Sequence, residues 1–193
     1  HSALRQVLGN HVEQRGSLVN DEILRFDFSH NAKMTDEEIT EVERIVNEKI
    51  RENIKLDERR KVAFKEATEE LGATGLFGEK YGDYVRVITF DENYSRELCG
   101  GTHVKHTGVI GFFKITIETS VSAGVRRIVA VTANKAEEFV QEQVALVNQV
   151  KDLLKNPKDL PKAIESLMNE KNDLTKRIEV LENQQVQNIK QDL

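Results

Sequence analysis

The only two prolines among the 193 residues, Pro157 and Pro161, divide the chain into stretches of different periodicity. Proline inside a helix removes a hydrogen bond and clashes with the preceding turn, but a helix's first turn tolerates it. Lys158-Asp-Leu160 therefore reads as a link between two helices, with Pro161 opening the second. From Leu160 onward, apolar residues fall at 160, 164, 167, 174, 178 and 181, the a and d positions of a heptad, with Lys171 as the exception. Beyond Leu181 the chain is rich in Gln and Asn and the pattern fades. A helix this polar is not a globular core element by itself. Its stripe needs the preceding helix, a second chain or further sequence to cover it.

Upstream, the patterns mix. Leu4, Val7 and Leu8 fit an amphipathic helix already under way at the first residue, stopped by Gly9-Asn10. Residues 17–28 predict a β-hairpin turning at Asn20-Asp21, with Leu24, Phe26 and Phe28 on the buried face. Thr35-Asp-Glu-Glu38 is a capping box, and Ile39, Val42, Ile45, Val46 and Ile50 carry the helix to about residue 53. A strand is expected near 54–59, a second helix over 62–71 closed by Gly72, and strands over 84–90, 112–118 and 127–132. Asn134 is the expected cap of a helix over 135–154. The fold class is α+β: a mixed or antiparallel sheet with packed helices over residues 1–133, then a long helical hairpin or coiled coil over 134–193.

The chemistry concentrates in Leu98-Cys99-Gly100-Gly101-Thr102-His103, which holds the only cysteine. Cys99 and His103 are four residues apart. If the backbone there is helical, thiol and imidazole share one face, and thiolate with neutral imidazole is ligand chemistry that zinc prefers. Two ligands do not complete a zinc site, and a lone cysteine is more often a small buried hydrophobe.

Glu97-Leu-Cys-Gly-Gly-Thr-His103 resembles the C-x3-H half of the editing domain of alanyl-tRNA synthetases. Gln14-Arg-Gly-Ser17, residues 24–30 (LRFDFSH), residues 76–81 (LFGEKY) and residues 122–128 (SAGVRRI) resemble further editing segments in the same order, so the likeness runs from residue 1 to about 133. It implies a second-additional-domain fold of the synthetase type, and a C-terminal helix like the start of the coiled-coil segment that follows editing domains. It implies Cys99 and His103 as zinc ligands, with two further histidines of an H-x3-H expected before residue 1. His1 aligns with a later histidine of that segment and is not carried over as a ligand. Gln14, Cys99 and Thr102 are the implied catalytic residues, and Arg126 and Arg127, in a turn after Gly124, the implied tRNA contacts. His106 is a fourth ligand or a proton shuttle, or, as preferred here, an exposed histidine. Asp27 and His30 are expected to serve the fold.

The implied activity is hydrolysis of Ser-tRNA(Ala) and Gly-tRNA(Ala), with the acceptor end of tRNA(Ala) and the rest of a synthetase as partners and self-association through the C-terminal helix. The chemical need is plain. A pocket built for alanine rejects glycine by only about 1–3 kcal/mol and cannot strongly reject an added hydroxyl, so a second hydrolytic site is the remedy. Other readings are a free-standing trans-editing protein, a non-catalytic tRNA-binding or coiled-coil module, and a thiol hydrolase with Cys99 as nucleophile. The net charge of −5 runs against the basic footprint usual for nucleic-acid binding, leaving only local clusters. The cluster Arg59-Arg60-Lys61 reads as solvated surface. A lone cysteine excludes an internal disulfide and suits a reducing compartment, hence the cytoplasm. No apolar run approaches the ~20 residues that span a bilayer.

Overall fold

Alternation at Leu24, Phe26 and Phe28 builds the centre of the first sheet in the computed structural model, which describes residues 1–75 and 80–191, with side chains as far as residue 185. Strands β1 (Gln14–Val19) and β2 (Leu24–Ser29) form the expected hairpin, with β1 beginning earlier than its hydrophobic pattern. Asn20 Oδ1 accepts from the backbone N–H groups of Glu22 and Ile23 at 3.0 and 2.8 Å, an Asx turn that fixes the register. With β6 (Phe113–Ser122) and β7 (Val125–Thr132) they make a four-stranded antiparallel sheet in the order β1-β2-β7-β6. A second antiparallel sheet holds β3 (Asp57–Ala63), β4 (Tyr84–Phe90) and β5 (Ser95–Leu98). Part of the 76–81 segment, residues 76–79, lies outside the described residues.

Helices α1 (Ser2–Leu8) and α2 (Asp36–Arg51) close the first core, where Leu4, Val12, Phe28, Met34 and Val42 are fully buried. Thr35 caps α2 as the sequence predicts: its hydroxyl accepts from Glu38 N, and the Glu38 carboxylate accepts from Thr35 N. The outer strand β6 is not left open. Asn47 of α2 donates to Phe113 O at 2.8 Å and accepts from Phe113 N at 2.9 Å, and Glu43 accepts from Ile115 N at 2.7 Å. Two side chains of one helix thus stand in for a neighbouring strand. Thr107, in a single 3-10 turn (Thr107–Ile110), accepts from Ile54 N and donates to Lys49 O, both at 2.8 Å, and so ties off the end of α2.

Three local expectations are not met. Val62 and Ala63 extend β3 by pairing with Val85 and Tyr84, so the expected helix over 62–71 shrinks to residues 64–65 and a π-helical turn (Glu66–Glu70). Arg126 and Arg127 lie within β7 rather than in a turn; the turn is at 123–124, where Gly124 takes φ +73°. Helix α3 (Ala133–Leu153) starts before Asn134, which is its second residue and not its cap. Helix α4 (Leu160–Gln191) follows the prolines, and Leu167, Leu174, Ile178 and Leu181 of its stripe are exposed. The chain divides into two compact units, His1–Phe139 and Val140–Leu193.

Candidate active site

The Cys99–His103 stretch follows β5 as an irregular loop, so the shared helical face does not arise. Arg86 of β4 holds the loop in its place. Its Nη1 donates to the carbonyls of Cys99, at 2.9 Å, and of Gly101, while its own carbonyl accepts from Cys99 N at 3.2 Å. Glu58 of β3 anchors the same guanidinium through Nε at 2.7 Å. The Gly101 N–H points back to the Cys99 sulfur at 3.4 Å. Neither Gly100 nor Gly101 adopts positive φ.

This loop forms one wall of a cavity of about 520 Å³. The opposite wall comes from β1 and β2. Four residues singled out from the sequence, Gln14, Cys99, Thr102 and His103, line it together, although 85 residues separate the first two. The size suits a ligand of a few rings. Gln14 donates from Nε2 to Ser17 Oγ at 3.0 Å, which leaves its amide oxygen as an acceptor. Thr102 and His103 are exposed and Cys99 is half-buried. Desolvation, with Arg86 nearby, lowers the His103 pKa and keeps its imidazole neutral at pH 7.

Two lining residues were not among those expected at the site. His1 Nδ1 donates to Glu97 Oε1 at 2.9 Å and Nε2 donates to Val12 O at 3.2 Å. Both partners only accept, so making the two bonds together calls for the imidazolium form. Burial pushes the His1 pKa down, but Glu97 and the Val12 carbonyl outweigh it and hold it above the ordinary value. Both ring nitrogens of His1 are thus engaged, by Glu97 and by the Val12 carbonyl. The second, Arg25, lies on β2 at the cavity, and its Nε is buried without a hydrogen-bond partner.

The other expected residues fall elsewhere. Arg126 reaches Glu118 by two bonds of 2.6 Å, and Arg127 reaches Asp27 at 2.6 and 2.7 Å; none of the four lines the cavity. Asp27 thus serves the fold, as does His30, whose ring is 2.9 Å from His11. His106 is not exposed. It is half-buried beside Lys55, its Nδ1 has no partner, and it is outside the cavity. Arg59 and Arg60 are exposed on β3, paired with Asp57 and Glu58 of their own strand. Cys99 and His103 have the donor chemistry of a zinc site. Yet among the described residues no group of three or more His, Cys, Asp or Glu side chains could hold a metal ion. The residues present do not complete a site of three or four ligands.

Residues 85–129 match the threonyl and alanyl tRNA synthetase second additional domain. The chain is similar to the alanine–tRNA ligase of Cytophaga hutchinsonii, 66% identical over 160 residues, which is 83% of this chain and 18% of the relative. Those of Parabacteroides distasonis and Christiangramia forsetii are 54% and 51% identical over 160 and 159 residues, 83% and 82% of this chain, again covering 18% of each relative. The chain spans less than a fifth of the length of these relatives. Among the described residues, no helix is long and apolar enough to cross a membrane.

Proposed function

The chain belongs to the alanyl-tRNA synthetase family, and we propose that its β-rich part is an editing domain that hydrolyses the ester joining serine or glycine to tRNA(Ala). The observation that carries this reading is the cavity where Gln14, Cys99, Thr102 and His103 meet from segments far apart in sequence. Hydrolysis adds water to the ester carbonyl, breaks the bond to the ribose oxygen and returns a proton to that oxygen. The free amide oxygen of Gln14 orients a donor there, either the water or the substrate's ammonium. The Thr102 hydroxyl meets the hydroxyl of serine, an interaction that alanine lacks.

Zinc belongs to this reading as a metal held in part by Cys99 and His103, and it would supply a polarising charge for the water or the ester. Among the described residues these donors fall short of the three or four that a zinc site needs. The acceptor end of tRNA(Ala) and the rest of a synthetase are the partners, in the cytoplasm. Arg126 and Arg127 have one edge of each guanidinium filled by a carboxylate, so a tRNA phosphate would meet them through Nη1. The exposed heptad stripe of α4 favours a coiled-coil role, with self-association as one form of it.

The test is deacylation of Ser-tRNA(Ala) and Gly-tRNA(Ala) by the chain in excess zinc, beside Cys99→Ala. We expect the variant to melt cooperatively and to lose deacylation. Wild-type rates in Cys99→Ala would reduce that residue to packing. Binding of tRNA without deacylation by either protein would instead make this a non-catalytic tRNA-binding module.

A further inference from the structure

The arginines near the cavity differ in one respect. Arg86, Arg126 and Arg127 are each bound to a carboxylate. Arg25 has no ion pair or hydrogen bond among the described residues, although its Nε is shut away from solvent. Buried polar groups are nearly always paired, and this half-buried guanidinium leaves its Nε without a partner. Asp27, whose carboxylate feels the Arg25 charge, is taken by both bonds from Arg127. The only carboxylate among the cavity's lining residues, Glu97, is bonded to His1. An anion entering the cavity therefore meets one uncompensated guanidinium and no free carboxylate. Strand β2 lies between β1 and β7, so Arg25 is carried on backbone paired along both edges. The backbone that carries the side chain is therefore fixed, and only the side chain is ordered when it binds.

We propose that Arg25 binds a phosphodiester oxygen at the 3′ end of the nucleic acid whose ester the cavity hydrolyses. The proposal rests on the editing reading and adds to it the group that anchors the substrate. Arginine's planar fork matches a phosphate in two-point contact, which a lysine ammonium cannot reproduce. A substrate whose ester lies at Cys99, Thr102 and His103 carries its nearest phosphate one sugar away. The aminoacyl group carries an ammonium, which Arg25 would repel. Charge therefore orients the substrate with phosphate toward β2 and the amino acid toward the Cys99–His103 loop.

The test uses a non-hydrolysable 3′-seryl amide of adenosine, with and without a 5′ methyl phosphodiester, titrated against the 193-residue chain. In the wild type the phosphodiester should tighten binding about tenfold, the scale of one charged hydrogen bond. Arg25→Gln should lose that gain, and Arg25→Lys should recover only part of it. Thermal melts show which variants are folded; if Arg25→Gln is not, the reduced gain in Arg25→Lys carries the test. An unchanged gain in a folded variant overturns the proposal, as does a wild type that binds both compounds equally or neither. Greater loss of free serine than of the phosphodiester in Arg25→Gln also overturns it, because Arg25 would then hold the product carboxylate. Deacylation of Ser-tRNA(Ala) by the wild type is measured separately, so the editing reading stands or falls independently of Arg25.

Discussion

The Asp27–Arg127 pair joins β2 to β7 at the middle of the first sheet. Arg127's hydrogen bonds hold the Asp27 carboxyl below the usual carboxylate range, against burial, which pushes it up. With the folded pKa below the unfolded one, the pair's stabilisation is complete above the unfolded value of about 4 and is lost as pH falls through the folded value. We expect Asp27→Asn to cost about 1–3 kcal/mol at neutral pH, and wild-type Tm to fall more steeply than the variant's below about pH 4. Equal slopes in acid would show that the pair does not set the acid limb. A second residue-scale expectation concerns the metal. Cys99 and His103 are two donors and His1 has both nitrogens engaged, so dialysed protein should retain well under one zinc per chain. One tightly held zinc, measured by atomic absorption, would mean that another side chain completes the site.

At the scale of elements, helix α2 supports β6 as a strand would. Asn47→Leu preserves volume but leaves the N–H and C=O of Phe113 without their partner, at a cost of about 1–3 kcal/mol for each group left unpaired. Thr35→Ala, which removes only the cap, should cost about 1 kcal/mol. Urea melts of the two variants test that order, and a reversed order would mean that β6 finds other partners. The same elements separate what the sequence discloses from what it hides. The Thr35–Glu38 box, the Asn20 turn and the β-branched run of β4 are local signals, decided within a few residues, and they are legible. Val62 and Ala63 look helical until Val85 and Tyr84 claim them across more than 20 residues of chain. Cys99 and His103 were marked by their spacing and chemistry, whereas Gln14 and Thr102 were legible only because their segments resemble a known family. Arg86, which holds their loop, and Arg25, which lines their cavity, have no spacing that marks them. Each acts through partners or surroundings that only the folded sheets bring together.

At the scale of the whole molecule, the buried residues stop early. The last is Ala136, at 0% exposure, in the first turn of α3, and α4 among its described side chains contributes none. The unit His1–Phe139 thus holds both hydrophobic cores, Ala3 to Ala130 in one and Val62 to Leu98 in the other. A fragment ending at 139 should fold cooperatively, with a Tm close to that of the full chain. The sequence places the boundary at 133, where the strands end, but that cut removes the turn that buries Ala136. Burying that methyl and the apolar surface beneath it is worth about 1 kcal/mol, so a fragment ending at 133 should melt a few degrees lower. Parallel calorimetry of the two fragments and the full chain decides it. If 1–133 and 1–139 melt together, the first turn of α3 contributes nothing to the β-rich unit. If both melt far below the full chain, the helices after 139 stabilise the cores without burying any side chain in them.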